Sequence, residues 1–184
     1  NEAAHVPGVW GPYFGAVMPD LWVNEAGQSM AGAAIDTVIA RHSAADHAAK
    51  AADSTGVDIH DYLAQHLTSL ANGGPVHDLT RDRHIQPDFA GNRAPLADPT
   101  RRGMTIGQGS TSGIDDLAID YLACIQSLAY GTRHILDVQR QNGLHIDTIL
   151  VSGGLARNAL YVAAHADATG CDVMIPDQRE PVLL

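Results

Sequence analysis

The sequence predicts an α/β domain with a helical insertion, on three observations. Between Ile146 and Ile175 an apolar run, a pair of glycines, a helical stretch and a second apolar run follow one another. Apolar residues at helical spacing form a stripe from Ile114 to Leu136. Alanine-rich sequence without proline fills residues 28–71.

Residues 5–27 are dense in Gly, Pro and aromatic residues, including Val6-Pro-Gly-Val-Trp-Gly-Pro-Tyr-Phe14. Proline fixes φ and glycine supplies unusual backbone angles, so short strands and tight turns are expected there. From Gln28 to His42 the chain turns to Ala, Ile and Val, with Ile35, Val38 and Ile39 at helical spacing. Residues 43–53 and the amphipathic set Ile59, Leu63, His66, Leu67 and Leu70 give two more helices. Asn72-Gly-Gly-Pro75 stops the second, and together they form a helical insertion or cap. Residues 84–103, with three prolines and two glycines, read as a functional loop. Thr111-Ser112 with Asp115 resembles a capping arrangement ahead of one long buried helix that lasts to Asn142-Gly143. Strand 146–151, helix 157–169 and strand 172–175 then imply a parallel β-α-β unit.

Composition narrows the function. Basic residues number 11 against 21 acidic, giving a net charge of −10, and Lys50 is the only lysine. No polybasic surface exists for phosphate backbones or anionic lipid, so no nucleic acid and no membrane is expected as a partner. No apolar run approaches the roughly 20 residues that span a bilayer. Cys124 and Cys171, without C-x-x-C spacing, fit a reduced, cytoplasmic setting. The ten histidines show no metal-binding spacing, and neither G-x-G-x-x-G nor a Walker loop nor a G-x-S-x-G elbow occurs.

Ser152-Gly-Gly154, after a strand expected to be buried, is the strongest local signal. Two glycines there let a ligand approach the main chain while helix N–H groups point outward; equally, they serve a tight turn. Glu25-Ala-Gly-Gln-Ser29, leading into Ala31-Gly-Ala-Ala34, is a second small-residue helix start, open either to a ligand or to close helix packing. Asp88-Phe-Ala-Gly-Asn-Arg-Ala-Pro95 suits a cleft loop touching a polar ligand or an Asp–Arg structural bridge.

Five segments, in order, resemble the C-terminal domain of FGGY carbohydrate kinases, nearest to the ribulokinase-type pentulose kinases. They are Val6–Tyr13, Asn24–Ser29, Pro87–Pro95, Ala123–Arg133 and Ser152–Asn158, and the Glu-Ala-Gly-Gln-Ser form favours the ribulokinase branch. The resemblance implies an actin-like, ribonuclease-H-like ATPase fold that binds ATP between two domains, the sugar being held mainly by an N-terminal domain. Residues 1–184 would supply the nucleotide side. Adenosine contacts would fall on Gly153, Gly154 and Asn158, and further nucleotide contacts on Gly32 and Asp36, where other members carry glutamine. His165 stands where many members have glutamine, and Ile119-Asp120 departs from the family signature.

The base that takes the sugar proton, with its Gly-Thr phosphate turn, would lie upstream of Asn1. No catalytic residue is therefore assigned, and both ends of the chain are expected to be cut. Mg2+ would be held by nucleotide phosphates and upstream carboxylates, with no metal ligand named here. The expected activity is phosphorylation of a ribulose-like ketopentose by the intact enzyme, the chain alone being inactive. A glycerol- or xylulose-type kinase and a non-catalytic actin-like nucleotide module are the alternatives. Expected partners are the sugar and the protein's own N-terminal domain, with homodimerisation left open.

Overall fold

The computed structural model describes residues 2–177; the stub Glu180–Leu184 lies outside them. An antiparallel hairpin, β1 (Trp10–Phe14) and β2 (Trp22–Glu25), opens the chain, with a register shift between Trp10 and Tyr13. Helix α1 (Gly32–Arg41) starts four residues later than the composition suggested, after an uncapped Ala31. Helices α2 (Ala45–Thr55) and α3 (Ile59–Ala71) form the expected insertion. Asp58 caps α3, its carboxylate accepting the N–H groups of His60 and Asp61 at 2.8 and 3.0 Å.

The 84–103 segment is framed by β3 (His84–Gln86) and β4 (Met104–Ile106), an antiparallel pair. Helix α4 (Ile114–Gln141) is the 28-residue spine. Leu117, Tyr121, Ile125 and Leu128 are fully buried along it and meet Ile35 of α1 and Leu63 and Leu67 of α3 in one core. Each such side chain contributes about 1.5–3 kcal/mol on leaving water. The capping arrangement expected at Thr111, Ser112 and Asp115 does not form. The helix begins after Gly113 without a side-chain cap, and Asp115 instead reaches His66 at 2.6 Å. Tertiary pairing there displaces the local motif.

Strand β5 (Thr148–Leu150), a 3-10 turn (Gly154–Arg157), helix α5 (Ala159–Thr169) and strand β6 (Asp172–Met174) complete the parallel β-α-β unit. β5 is not the buried strand that its Ile-Leu-Val run suggested. Leu150 is 68% exposed and Met174 55%, because β5 and β6 form a two-stranded sheet among the described residues and have no further strand on either side. Among the described residues no helix is long and apolar enough to cross a membrane.

Candidate functional site

Four of the five residues singled out for nucleotide contact line one cavity of about 620 Å³, a size that suits a small-molecule ligand. Gly32 and Asp36 come from α1, Gly154 from the 3-10 turn and Asn158 from the start of α5. Gly153 faces a neighbouring cavity of about 440 Å³ beyond the carboxyl ends of β5 and β6. Exposed Arg157 lines both cavities and makes no ion pair among the described residues.

The two glycines differ in what requires them. Gly153 sits at φ 79° and ψ −162°, a region essentially closed to residues with a Cβ, so its backbone alone demands glycine. Gly154 has no positive φ, and a Cβ there would meet nothing within 4 Å. The tight-turn reading therefore accounts for Gly153, whereas Gly154 leaves open space in the cavity. Gly32 is similar, since its added Cβ would only touch Leu155 at 3.9 Å.

Asn158 is pinned twice. Its side-chain oxygen accepts the Tyr161 N–H at 3.1 Å as the cap of α5, and its amide donates to the Tyr121 hydroxyl at 2.7 Å. Burial pushes the Tyr121 phenol up to about 12, against the opposing Asn158 hydrogen bond, so it stays protonated near neutrality.

The remaining wall comes from α3, which the sequence marked only as an insertion: Asp58, His60, Asp61 and Ala64 all line the cavity. His60 pairs with Asp36 at 3.3 Å and packs 5.8 Å from the Tyr121 ring. No spacing rule joins residues 36 and 60, because only the packing of the insertion brings them together. Asp36, Asp58 and Asp61 make this cavity acidic. Carboxylates accept hydrogen bonds from sugar hydroxyls or an exocyclic amine and repel phosphate.

A third cavity, of about 310 Å³, lies between the Gln28 loop, the 85–101 segment and α4. Buried Asp88 organises it, accepting from Gln86 at 2.7 Å, Asn92 at 3.1 Å and Arg101 at 3.0 Å. The Asp–Arg bridge thus exists, but its arginine is Arg101. Arg93 instead bonds Glu25 at 2.7 Å and stacks 4.4 Å over Trp10.

One group among the described residues brings metal-ligating atoms within 4.8 Å of one another: His42, Asp116 and Asp120. Arg83 bonds both carboxylates, reaching Asp116 at 2.7 Å and also pairing with Asp120. The guanidinium already supplies the positive charge that a cation would bring. Burial raises the Asp116 carboxyl, yet hydrogen bonds from Arg83 and His42 outweigh it and hold the group below its ordinary value. The departure at Asp120 noted in the sequence is half of this ion network.

His165 is buried, 2% exposed, and burial depresses its pKa below the ordinary 6.5 against the raising effect of the Tyr161 carbonyl. A neutral buried imidazole favours the folded state fully above pH 6.5, and that contribution is lost as pH falls toward the lowered pKa. Between pH 7.5 and 5.5, His165→Gln is expected to flatten the fall in unfolding free energy, by up to about 1.4 kcal/mol per pH unit. Urea denaturation at each pH measures the difference between the two proteins; identical slopes would refute it.

Residues 1–184 match the FGGY family of carbohydrate kinases, C-terminal domain. An FGGY carbohydrate kinase domain-containing protein of Xenopus laevis is 48% identical over 97% of this chain and 32% of its own length. A protein named D-ribulokinase from Saccharomyces cerevisiae is 36% identical over 93% of this chain and 24% of its own length. The chain thus spans about a third or less of the curated relatives it matches. The crystal structure of xylulose kinase from Bifidobacterium adolescentis superposes with a TM-score of 0.64 at 20% identity, covering 97% of this chain and 31% of that one. That likeness shows the fold, the actin-like ATPase fold of sugar kinases. The chain belongs to the FGGY family of carbohydrate kinases, as the C-terminal domain.

Proposed function

We propose that the protein carrying this chain is a cytoplasmic, ATP-dependent kinase of a ribulose-like ketopentose, and that residues 1–184 are its nucleotide side. The observation that carries this reading is the single cavity lined by Gly32, Asp36, Gly154 and Asn158. The ketopentose rests on the Glu25–Ser29 motif and on the name of the yeast relative. Free, buried Cys124 and Cys171 suit a reducing compartment.

The acidic cavity takes the nucleoside end of ATP, whose hydroxyls and amine are donors to Asp36 and Asp61. Gly154 lets the ligand lie against the main chain, and Arg157 is the cation available to phosphates leaving the cavity. Asp58 Oδ1 already serves the α3 backbone. Mg2+ would be bound chiefly by phosphate oxygens and neutralise them there. Phosphoryl transfer depends on in-line placement more than on covalent help, and placement of the nucleotide is this domain's share.

The test is ADP production by the protein purified with its upstream domain, offered D-ribulose, L-ribulose, xylulose and glycerol in turn. Turnover with a ribulose supports the reading. Turnover with glycerol or xylulose alone overturns the sugar, and none with any of them overturns the kinase. Gly154→Val, which the backbone tolerates, is expected to add about 1–3 kcal/mol of overlap with the nucleotide. That raises KM for ATP about fivefold or more and leaves KM for the sugar within about twofold. Equal changes in both constants would count against the placement.

A further inference from the structure

We propose that Gln28, Thr132 and His165 form a partly buried hydrogen-bonded relay that sets the separation of the two cavity walls carrying Gly32 and Asn158, making them positioning residues for the nucleotide. The inference rests on the nucleotide reading of that cavity. Gln28 lies four residues before Gly32, in the loop that delivers α1. His165 lies two helical turns beyond Asn158 on α5, and Thr132 is on α4 between them.

The protons can be placed from chemistry. The Gln28 amide donates to the Leu128 carbonyl at 2.8 Å and to the Thr132 hydroxyl at 3.1 Å. The Tyr161 carbonyl, 2.9 Å from His165 Nδ1, can only accept, so Nδ1 carries the hydrogen. The other ring nitrogen, Nε2, is then the acceptor for the Thr132 hydroxyl 3.1 Å away. The Thr132 hydroxyl also lies 3.2 Å from the Leu128 carbonyl; turned to Nε2 instead, it makes the chain run in one direction from the Gln28 loop to α5. Burial of His165 favours the neutral ring that this arrangement needs.

Gly131 supports the same reading. It lies inside α4, where glycine costs about 1 kcal/mol relative to alanine. A Cβ there would meet the Gln28 side-chain oxygen at 2.6 Å and Cδ at 2.9 Å, so glycine admits the Gln28 amide to the helix surface. The relay joins two of the segments that mark this sequence, Asn24–Ser29 and Ala123–Arg133, to the helix that follows a third, Ser152–Asn158, and none of the three needs the others locally.

The test uses the full-length protein carrying these residues, with KM for ATP and for the sugar measured separately beside the melting temperature. Thr132→Val keeps the shape and removes the hydroxyl; it is expected to raise KM for ATP about fivefold to twentyfold, with the sugar KM within about twofold. His165→Leu is expected to do the same, and the double variant to be no worse than either alone, since one relay is broken once. His165→Gln, which keeps an acceptor and a donor, should stay within about twofold of the parent. Gly131→Ala, which removes no relay group but displaces Gln28, should raise KM for ATP as well.

Unchanged KM for ATP in folded Thr132→Val, equal rises in both KM values, or losses that multiply in the double variant would each overturn the relay. If His165→Leu fails to fold, Thr132→Val set against His165→Gln decides. A parent that shows no ATP-dependent turnover removes the nucleotide reading and the relay with it. An active parent with unaffected variants removes the relay alone.

Discussion

Replacement of Arg83 by leucine is expected to destabilise the fold by about 3–5 kcal/mol, because it leaves buried Asp120 without its counter-charge and half-buried Asp116 with only His42. Arg83 is 7% exposed and spends its guanidinium on three acceptors: Asp116 at 2.7 Å, Asp120, and the Gly107 carbonyl at 3.0 Å. Burial acts against its charge, and the hydrogen bonds of Asp116 and Asp120 outweigh that effect and raise its pKa. Gly107 is fixed by the same contact region. It sits at φ 84°, and a Cβ there would collide with the Asp82 carbonyl just before Arg83.

The size of that loss is a statement about the unpaired partners more than about the ion pairs themselves. Adding Asp120→Leu to Arg83→Leu is therefore expected to restore part of the stability, since one stranded charge goes with it. A chain of this size loses about 2–4 °C of melting temperature per kcal/mol, so Arg83→Leu should lower the midpoint by roughly 10 °C. A shift under about 2 °C would mean that water reaches Asp116 and Asp120 and that the network is not load-carrying.

Elements set by local pattern were legible in the sequence: the 3.6-residue stripe of α4, the glycine and proline turns of the β1–β2 hairpin, and the order of the final β-α-β unit. Features set by tertiary pairing were not. The aspartates at the start of α4 look like helix-terminal acids, yet Asp115 and Asp116 turn to His66 and His42, which lie 49 and 74 residues away. The Ile-Leu-Val run of β5 reads as core because apolar content reports what a strand can bury, not which strands are beside it.

The cavity divides the same way. Gly32, Asp36, Gly154 and Asn158 were found through a resemblance spread over the chain, whereas His60 and Asp61 carried no signal. Their place on the cavity wall depends on how α3 docks on α4. Gly153 and Gly154 look equivalent as letters, and only the backbone separates the glycine needed by the turn from the one that leaves room.

Asn158 is where stability and ligand recognition can be told apart. Asn158→Leu is expected to cost roughly 2–4 kcal/mol, combining loss of the α5 cap with a buried Tyr121 hydroxyl left without its partner. Nucleotide affinity should fall with it, which alone would not distinguish a contact from a damaged wall. Asn158→Asp supplies the distinction. One carboxylate oxygen still caps the Tyr161 N–H, with added favour from the helix dipole. The other accepts the hydrogen of the Tyr121 hydroxyl, which stays protonated because its pKa is pushed up to about 12. Unfolding free energy by urea titration should therefore stay within about 1 kcal/mol of the parent. The amide donor is gone, however, and a fourth carboxylate joins Asp36, Asp58 and Asp61 in the cavity, so ATP should bind about tenfold or more weakly. Preserved stability with preserved ATP affinity would show that Asn158 braces Tyr121 and α5 without meeting the nucleotide. Preserved stability with lost affinity can arise only from the ligand's side of the wall.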